Sequence, residues 1–335
     1  MRLPDNRPYL IAEIGGNHEG SFEAALKLCD FALGSGADAV KFQLYRADHL
    51  VNPVVDAERH AHFRGFELTR AQHVALAERC SRAGVDYLAS VWDIEMLDWV
   101  DDHLSAYKVG SGDLTARPLV REFARRGKPI ILSTGLSSMG EVQDAVADIR
   151  NVNPFYEEAG TLTLLQCTSS YPTDAGEANL RAMTTLSSIP GVQVGYSDHT
   201  VGPGALMVAT ALGARVLEFH FTDDREGRTF RDHQVSLISE EVKELRAWGD
   251  TVAAVLGSEA KAPTDGEVLA GHPVSFRRGL YPARDLPAGH VLSASDLVAL
   301  RPAVGLLAED FDSALGATLA VDANQWAPLD RSMLL

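Results

Sequence analysis

One pattern constrains the fold of this chain more than any other. From Leu10 to about Gly257, short apolar runs alternate with amphipathic stretches. Eight runs have strand length, at residues 10–14, 39–44, 86–90, 106–109, 129–133, 162–167, 193–196 and 216–221. Helical segments follow them, for instance at 22–33, 71–83, 141–149, 201–213 and 240–256. Thr69 with Gln72, and Ser138 with Glu141, have capping-box spacing before apolar-periodic runs. Eight strand–helix units in about 250 residues make the size of a (β/α)8 barrel. A doubly wound open sheet is the alternative. Its dinucleotide-binding version needs Gly-x-Gly-x-x-Gly after the first strand, and none stands there.

The strand ends are polar in series: Glu13; Lys41 and Gln43; Ser90; Lys108 and Ser111; Ser133 and Thr134; Thr168 and Ser169; Ser197 and His199; Glu218 and His220. A strand interior is an expensive place for Lys or Glu unless the charge is paired or reaches a polar cavity. One such residue is compatible with a structural role. A polar residue at nearly every carboxyl end points to a ring of ligand-binding groups at one mouth, the face on which such barrels carry active sites. For Glu13 a second reading stands, a structural hub paired with Lys41 or Lys108.

His199 and His220 end consecutive strands, with Asp198, Glu218 and Asp232 nearby. Two imidazoles among carboxylates there read as a divalent metal site; two unrelated strand-end histidines are the plain alternative. Lys41, Lys108, Ser111 and Ser133 form a candidate anion pocket, in which lysine supplies point charge and hydroxyls supply directional donors. Glu13 is placed to stabilise a cation or transfer a proton. The set suits an anionic phosphorylated substrate meeting an aldehyde at a metal ion.

Charge and composition narrow the field further. The formal net charge of -16 argues against a general nucleic-acid binder, which needs a basic footprint. No apolar run approaches a membrane span and no secretory signal is visible, so no membrane partner and a cytoplasmic location are expected. Cys29, Cys80 and Cys167 have no metal-type spacing and fit reduced thiols.

Residues 258–274 have few periodic apolar positions and read as a linker, which leaves 1–257 for the barrel. A turn-rich, β-rich module follows at 275–335. At about 60 residues without disulfides its own core is expected to be marginal, so it is expected to lean on its barrel or on a partner subunit.

With these motifs in place, the chain resembles the sialic acid synthases of the N-acetylneuraminate synthase type. The resemblance is carried, in order, by Ile11 to Gly20, Gly36 to Gln43, Tyr107 to Asp113, Lys128 to Gly135, Cys167 to Thr173, Gly195 to Thr200 and Glu218 to Thr222. The last module resembles the antifreeze-like (SAF) domain of the same enzymes at Arg278 to Leu280, Asp285 to Gly289 and Leu300 to Pro302. The family joins phosphoenolpyruvate to an open-chain aldose, usually N-acetylmannosamine or another N-acetylhexosamine, giving a nonulosonic acid and phosphate. The resemblance implies a divalent ion, Mn²⁺ or Mg²⁺, on His199 and His220. It implies phosphoenolpyruvate on Lys41, Lys108, Ser111, Ser133, Ser169 and Ser197, with Glu13 beside the reacting carbons. It implies a sugar facing Gln43, Asp113, Tyr171 and Asp232, and a domain-swapped homodimer in which Arg301 serves the partner's barrel.

The departures are local. Ser90-Val91-Trp92-Asp93 stands where the family usually has Ser-Thr-Pro-Phe, so a hydroxyl expected to meet phosphate is lost at Val91. Asp113 replaces a glutamate. Residues 51–67 lack the family's sugar-facing asparagine and hold Arg59, His60, His62 and Arg64, either a substrate-anion cluster or a solvated loop. Two other functions stay open on the same residues: a metal-dependent aldolase or hydrolase, and a non-catalytic sugar-binding relative.

Overall fold

A computed structural model describes residues 1–335. Eight parallel strands close into a barrel in sequence order: β1 (Tyr9–Glu13), β2 (Ala39–Leu44), β3 (Asp86–Val91), β4 (Tyr107–Val109), β5 (Ile130–Ser133), β6 (Leu162–Cys167), β7 (Gln193–Asp198) and β8 (Val216–His220). The open-sheet alternative is thereby excluded, because β1 pairs with both β2 and β8. Helices such as Phe22–Ser35, Arg70–Ala83, Met139–Val152 and Ser239–Leu256 form the outer layer. Thr69 and Ser138 cap two of them in the expected boxes.

The mouth is built by strand periodicity. Ile11, Ala39, Leu88, Ala106, Ile131, Leu165 and Val216 make one buried apolar layer inside the barrel. Side chains alternate between faces along a strand. Two residues on, therefore, the inward positions are Glu13, Lys41, Ser90, Lys108, Ser133, Cys167 and Glu218. The positions between, Ala12, Val40, Ala89, Tyr107 and Leu132, join the larger core between strands and helices. On β7 the inward pair is Gly195 and Ser197. A Cβ on Gly195 would meet Val216 O at 2.2 Å and Leu165 Cδ2 at 2.7 Å, so only glycine fits the layer there. The polar groups thus stand directly on a packed apolar floor. At the opposite end Met1 and Leu3 pack against the same apolar layer.

A second compact unit spans Ser258–Leu335. Its antiparallel pair, β9 (Gly279–Pro282) and β10 (Leu297–Leu300), carries its own core of Leu280, Leu286, Leu292, Leu306, Leu319 and Leu329. Asp296 knits it together, accepting from Arg284 at 2.6 Å, His290 at 2.9 Å and the Ser293 hydroxyl at 2.6 Å. Within the segment expected as a linker, residues 265–269 form a short helix capped by Thr264, and a second turn of helix begins at His272. No helix of the chain is long and apolar enough to cross a membrane.

Candidate active site at the barrel mouth

The carboxyl ends of the strands open into a cavity of about 1130 Å³. Its floor is a buried charge network. Lys41 Nζ contacts Glu13 and lies 3.3 Å from Glu218 Oε1. Lys108 Nζ lies 3.1 Å from Glu218 Oε2 and donates to Ser133 Oγ at 2.9 Å. Lys41 also donates to Ser90 Oγ at 3.1 Å, and Ser197 donates to Glu218 at 2.8 Å. The pairs follow from register: Glu13 sits opposite Lys41 across β1 and β2, and Ser197 opposite Glu218 across β7 and β8.

The two carboxyls differ in character. Burial pushes both upward, but Glu218 stands between Lys108 and Lys41 and ends below its ordinary value. For Glu13, burial and the Glu218 charge outweigh Lys41 and His220, and it ends above its ordinary value. For Lys41, burial works against the ammonium, yet Glu13 and Glu218 outweigh it and the pKa rises. A carboxylate held ionised beside one biased toward protonation is an arrangement that can exchange a proton.

The histidines face each other on one wall, ring centroids 5.3 Å apart, with Tyr171 stacked 4.0 Å from His199. His199 Nδ1 lies 2.7 Å from the Thr168 carbonyl, which accepts its N–H and leaves the lone pair on Nε2. Burial, then neighbouring His220, lowers His199 to about 4, so it is neutral near pH 7. His220 Nδ1 is buried with no hydrogen-bond partner, and Asp232 Oδ2 lies 3.9 Å away. Two imidazole nitrogens and a carboxylate oxygen fit a divalent cation. His49, Asp93 and Glu95 make another cluster of potential donors. There Arg46 already holds Asp93 at 2.5 Å and Glu95 at 2.6 Å, supplying the cation itself.

Of the expected residues, Glu13, Lys41, Gln43, Lys108, Ser111, Asp113, Ser133, Ser169, Tyr171, Ser197, His199, His220 and Asp232 all line this one cavity. Arg301 belongs to the second unit, where it is exposed and lies 5.6 Å over the Phe276 ring. Two members of the polar strand-end ring with no assigned substrate or metal role also take part. Ser90 and Glu218 belong to the inward parity and complete the floor. Val91 has the opposite parity and packs in the outer core. The third-strand hydroxyl at the mouth is therefore Ser90.

Residues 57–65 form a helix, Ala57–Gly65, rather than a loop. Arg59 and His62 line the cavity. His60 and Arg64 do not; both bind Asp48. The same segment carries Phe63, which packs with Tyr45 and Trp92 at the rim. Burial raises Asp113, which Trp92 and Lys108 partly offset.

Residues 28–261 match the model of the NeuB family, and residues 277–334 that of the SAF domain. The N,N'-diacetyllegionaminic acid synthase of Legionella pneumophila is 34% identical over 329 residues, covering 94% of this chain and 91% of that one. The N-acetylneuraminate-9-phosphate synthase of Drosophila melanogaster is 30% identical over 364 residues, covering 96% and 94%. A crystal structure of the N-acetylneuraminic acid (sialic acid) synthetase from Leptospira borgpetersenii, in complex with citrate, superposes with a TM-score of 0.72. It has 28% identity over 81% of this chain and 93% of that one.

Proposed function

The chain belongs to the NeuB family, and from that premise we propose that it condenses phosphoenolpyruvate with an open-chain, N-acetylmannosamine-like aldose to give a nonulosonic acid and phosphate. The observation that carries this reading is the floor: two buried lysines ringed by hydroxyls, one wall away from a pair of facing histidines. Lys41 and Lys108 take the carboxylate and phosphate of phosphoenolpyruvate, with Ser111, Ser133, Ser169 and Ser197 donating hydrogen bonds. A divalent ion on His199 and His220, Mn²⁺ or Mg²⁺, supplies Lewis-acid polarisation of the aldehyde. Gln43, Asp113, Tyr171 and Asp232 orient the sugar chain.

Carbon 3 of the enol attacks the aldehyde carbon, and water adds at carbon 2. The tetrahedral product then expels phosphate by C–O cleavage. Atoms balance as phosphoenolpyruvate, aldose and water to nonulosonic acid and phosphate. Glu13, biased toward the protonated form, is suited to hand a proton to the aldehyde oxygen as it becomes a hydroxyl. Lys41, held charged by Glu13 and Glu218, and Lys108 stand beside the leaving phosphate. Orientation and fixed charge then carry most of the rate.

A homodimer in which Arg301 serves the sugar site of the partner belongs to the same proposal. Mixed dimers of Arg301→Ala chains with chains carrying His199→Ala and His220→Ala should recover activity if sites are shared. The experiment for the reaction itself is phosphate release from phosphoenolpyruvate with Mn²⁺ and a panel of aldoses. No release with any aldose would overturn the synthase reading. Cleavage of a preformed product to pyruvate would favour an aldolase.

A further inference from the structure

The cavity has two halves of opposite chemistry. Beside the charged floor stands a wall of three aromatic rings. Tyr45 and Trp92 lie 5.4 Å apart at 37°, Tyr45 and Phe63 5.4 Å apart at 87°, and Phe63 and Trp92 6.2 Å apart at 90°. Tyr45 follows β2 and Trp92 follows β3, so the wall rises directly from the strands that carry Lys41 and Ser90. The Tyr45 hydroxyl is spent on the Phe63 carbonyl at 3.2 Å. What the wall offers the cavity is ring surface.

Resting on the synthase reading above, we propose that Tyr45, Phe63 and Trp92 form the subsite for the end of the sugar remote from its aldehyde. The subsite selects an uncharged end bearing methyl groups, on a deoxy carbon or an N-acyl group, over a phosphate ester. The rings give methyl and C–H groups a face to cover. The charges nearby disfavour a phosphate dianion, which needs converging cations or backbone donors. Lys41 and Lys108 stand at the floor, paired with its carboxylates and, in the synthase reading, taken by phosphoenolpyruvate. Arg231 is held by Asp232 at 3.1 Å and stacks on Tyr171. Among the barrel's own cations Arg59 remains, exposed and lying 5.6 Å over Phe63, with the carboxyls of Asp56 and Asp113 lining the same cavity; the Arg301 proposed to come from a partner would add a single cation, not a converging set. Asp113, which burial shifts upward, can receive a sugar hydroxyl or amide N–H but repels phosphate. Trp92 is one of three residues, with Val91 and Asp93, at which this chain departs from the family's third-strand motif, and it is the one that joins the wall.

The test compares three acceptors that differ only at the far carbon: an N-acetylated aldose with a 6-hydroxyl, its 6-deoxy analogue and its 6-phosphate. Each is assayed with the full-length protein for phosphate release and, separately, for binding by calorimetry with Mn²⁺ present. The wild type should favour the 6-deoxy compound over the 6-phosphate by about tenfold or more in kcat/KM. Trp92→Ala should raise the KM for the deoxy sugar about tenfold, the scale of exposing one or two methyl groups, with the KM for phosphoenolpyruvate unchanged. Trp92→Phe should retain most of the preference. Equal or better use of the 6-phosphate would overturn the proposal. So would a Trp92→Ala variant that loses phosphoenolpyruvate and sugar affinity in parallel while circular dichroism shows it folded. If no acceptor releases phosphate, the synthase reading fails by itself, and the calorimetric order decides the subsite. Tighter binding of the deoxy sugar supports it; the reverse order, or no sugar binding at all, sinks it.

Discussion

Glu218 and Lys108 form a buried ion pair, Oε2 to Nζ 3.1 Å, on neighbouring parity positions of the barrel interior. The carboxylate also meets Lys41 at 3.3 Å and accepts from Ser197 at 2.8 Å. One anion thus holds two ammonium groups in the site proposed to take an anionic substrate. Without it Lys41 would keep only Glu13, Lys108 would have no carboxylate partner, and the two ammonium groups would repel each other. Removing one partner of such a pair costs roughly 3 kcal/mol. Glu218→Gln should therefore unfold at lower denaturant, and inorganic phosphate should stabilise the variant more than the wild type, because phosphate restores the missing charge. Thermal shifts with and without phosphate check this. Equal stabilisation of both proteins would remove Glu218 from the role of counter-ion.

The histidine wall makes a second prediction. With Nδ1 of His199 tied to the Thr168 carbonyl and Nδ1 of His220 unpartnered, each ring has a lone pair to give. His199→Ala and His220→Ala should each abolish stoichiometric Mn²⁺ binding, measured by metal analysis after gel filtration, and lower turnover at least about 100-fold. Chelation of the wild type should do the same and be reversed by added Mn²⁺. His49→Ala should leave metal content unchanged, since Arg46 already satisfies Asp93 and Glu95.

The barrel and its floor were legible because both follow from a period of two. An apolar residue such as Ala39 and a lysine two places later must face the same interior, whatever the helices do. The same rule, applied strictly, would have put Ser90 rather than Val91 at the mouth. Glu218 stands on the same parity and belongs to the ring of polar strand ends, but its pairing with two lysines across the barrel has no signature in the sequence. The rim was harder. The helix Ala57–Gly65 buries His60 alone. Its aromatic Phe63 covers a cavity instead of a core, so the stretch lacks the apolar stripe that announces a packed helix. The contact of Tyr45 with Trp92 joins residues brought together only by strand closure, and no local pattern encodes it.

Acid should weaken the barrel in a defined window. Burial lowers His18 to about 4 and His73 to about 3, against 6.5 when free. His73 donates or accepts only at Nδ1, 2.8 Å from the Tyr87 hydroxyl, and its Nε2 is buried unpartnered. Both folded values lie below the unfolded one, so between them the unfolded chain binds more protons. The contribution is complete above pH 6.5 and is lost as pH falls toward 4 for His18 and 3 for His73. Each ring costs up to about 1.4 kcal/mol per pH unit in that window. Urea midpoints at pH 7, 6 and 5 should fall progressively, and His73→Phe should flatten the slope even if it lowers stability at pH 7. An unchanged slope would mean that His73 is not buried neutral.

Gly135 gives the most local test of the phosphoenolpyruvate site. It follows β5 at the mouth, and its N–H donates to Ser111 Oγ at 3.1 Å. A Cβ there would stand 2.6 Å from Ser169 Oγ and 2.8 Å from Ser111 Oγ. Both hydroxyls end short side chains that can rotate away, so the fold should tolerate alanine. Rotation, however, takes two of the proposed donors off the substrate. A lost hydrogen bond to a charged group is worth about 1.5–3 kcal/mol, which is roughly ten- to a hundredfold in affinity. Gly135→Ala should thus raise the KM for phosphoenolpyruvate by that factor. The sugar KM and the Mn²⁺ content should stay near wild type, because neither Ser111 nor Ser169 faces the histidine pair in this reading. Steady-state kinetics with each substrate varied in turn separate the outcomes. A sugar KM that rises as steeply would show that the two hydroxyls serve the acceptor, and would move the phosphoenolpyruvate site off this side of the mouth.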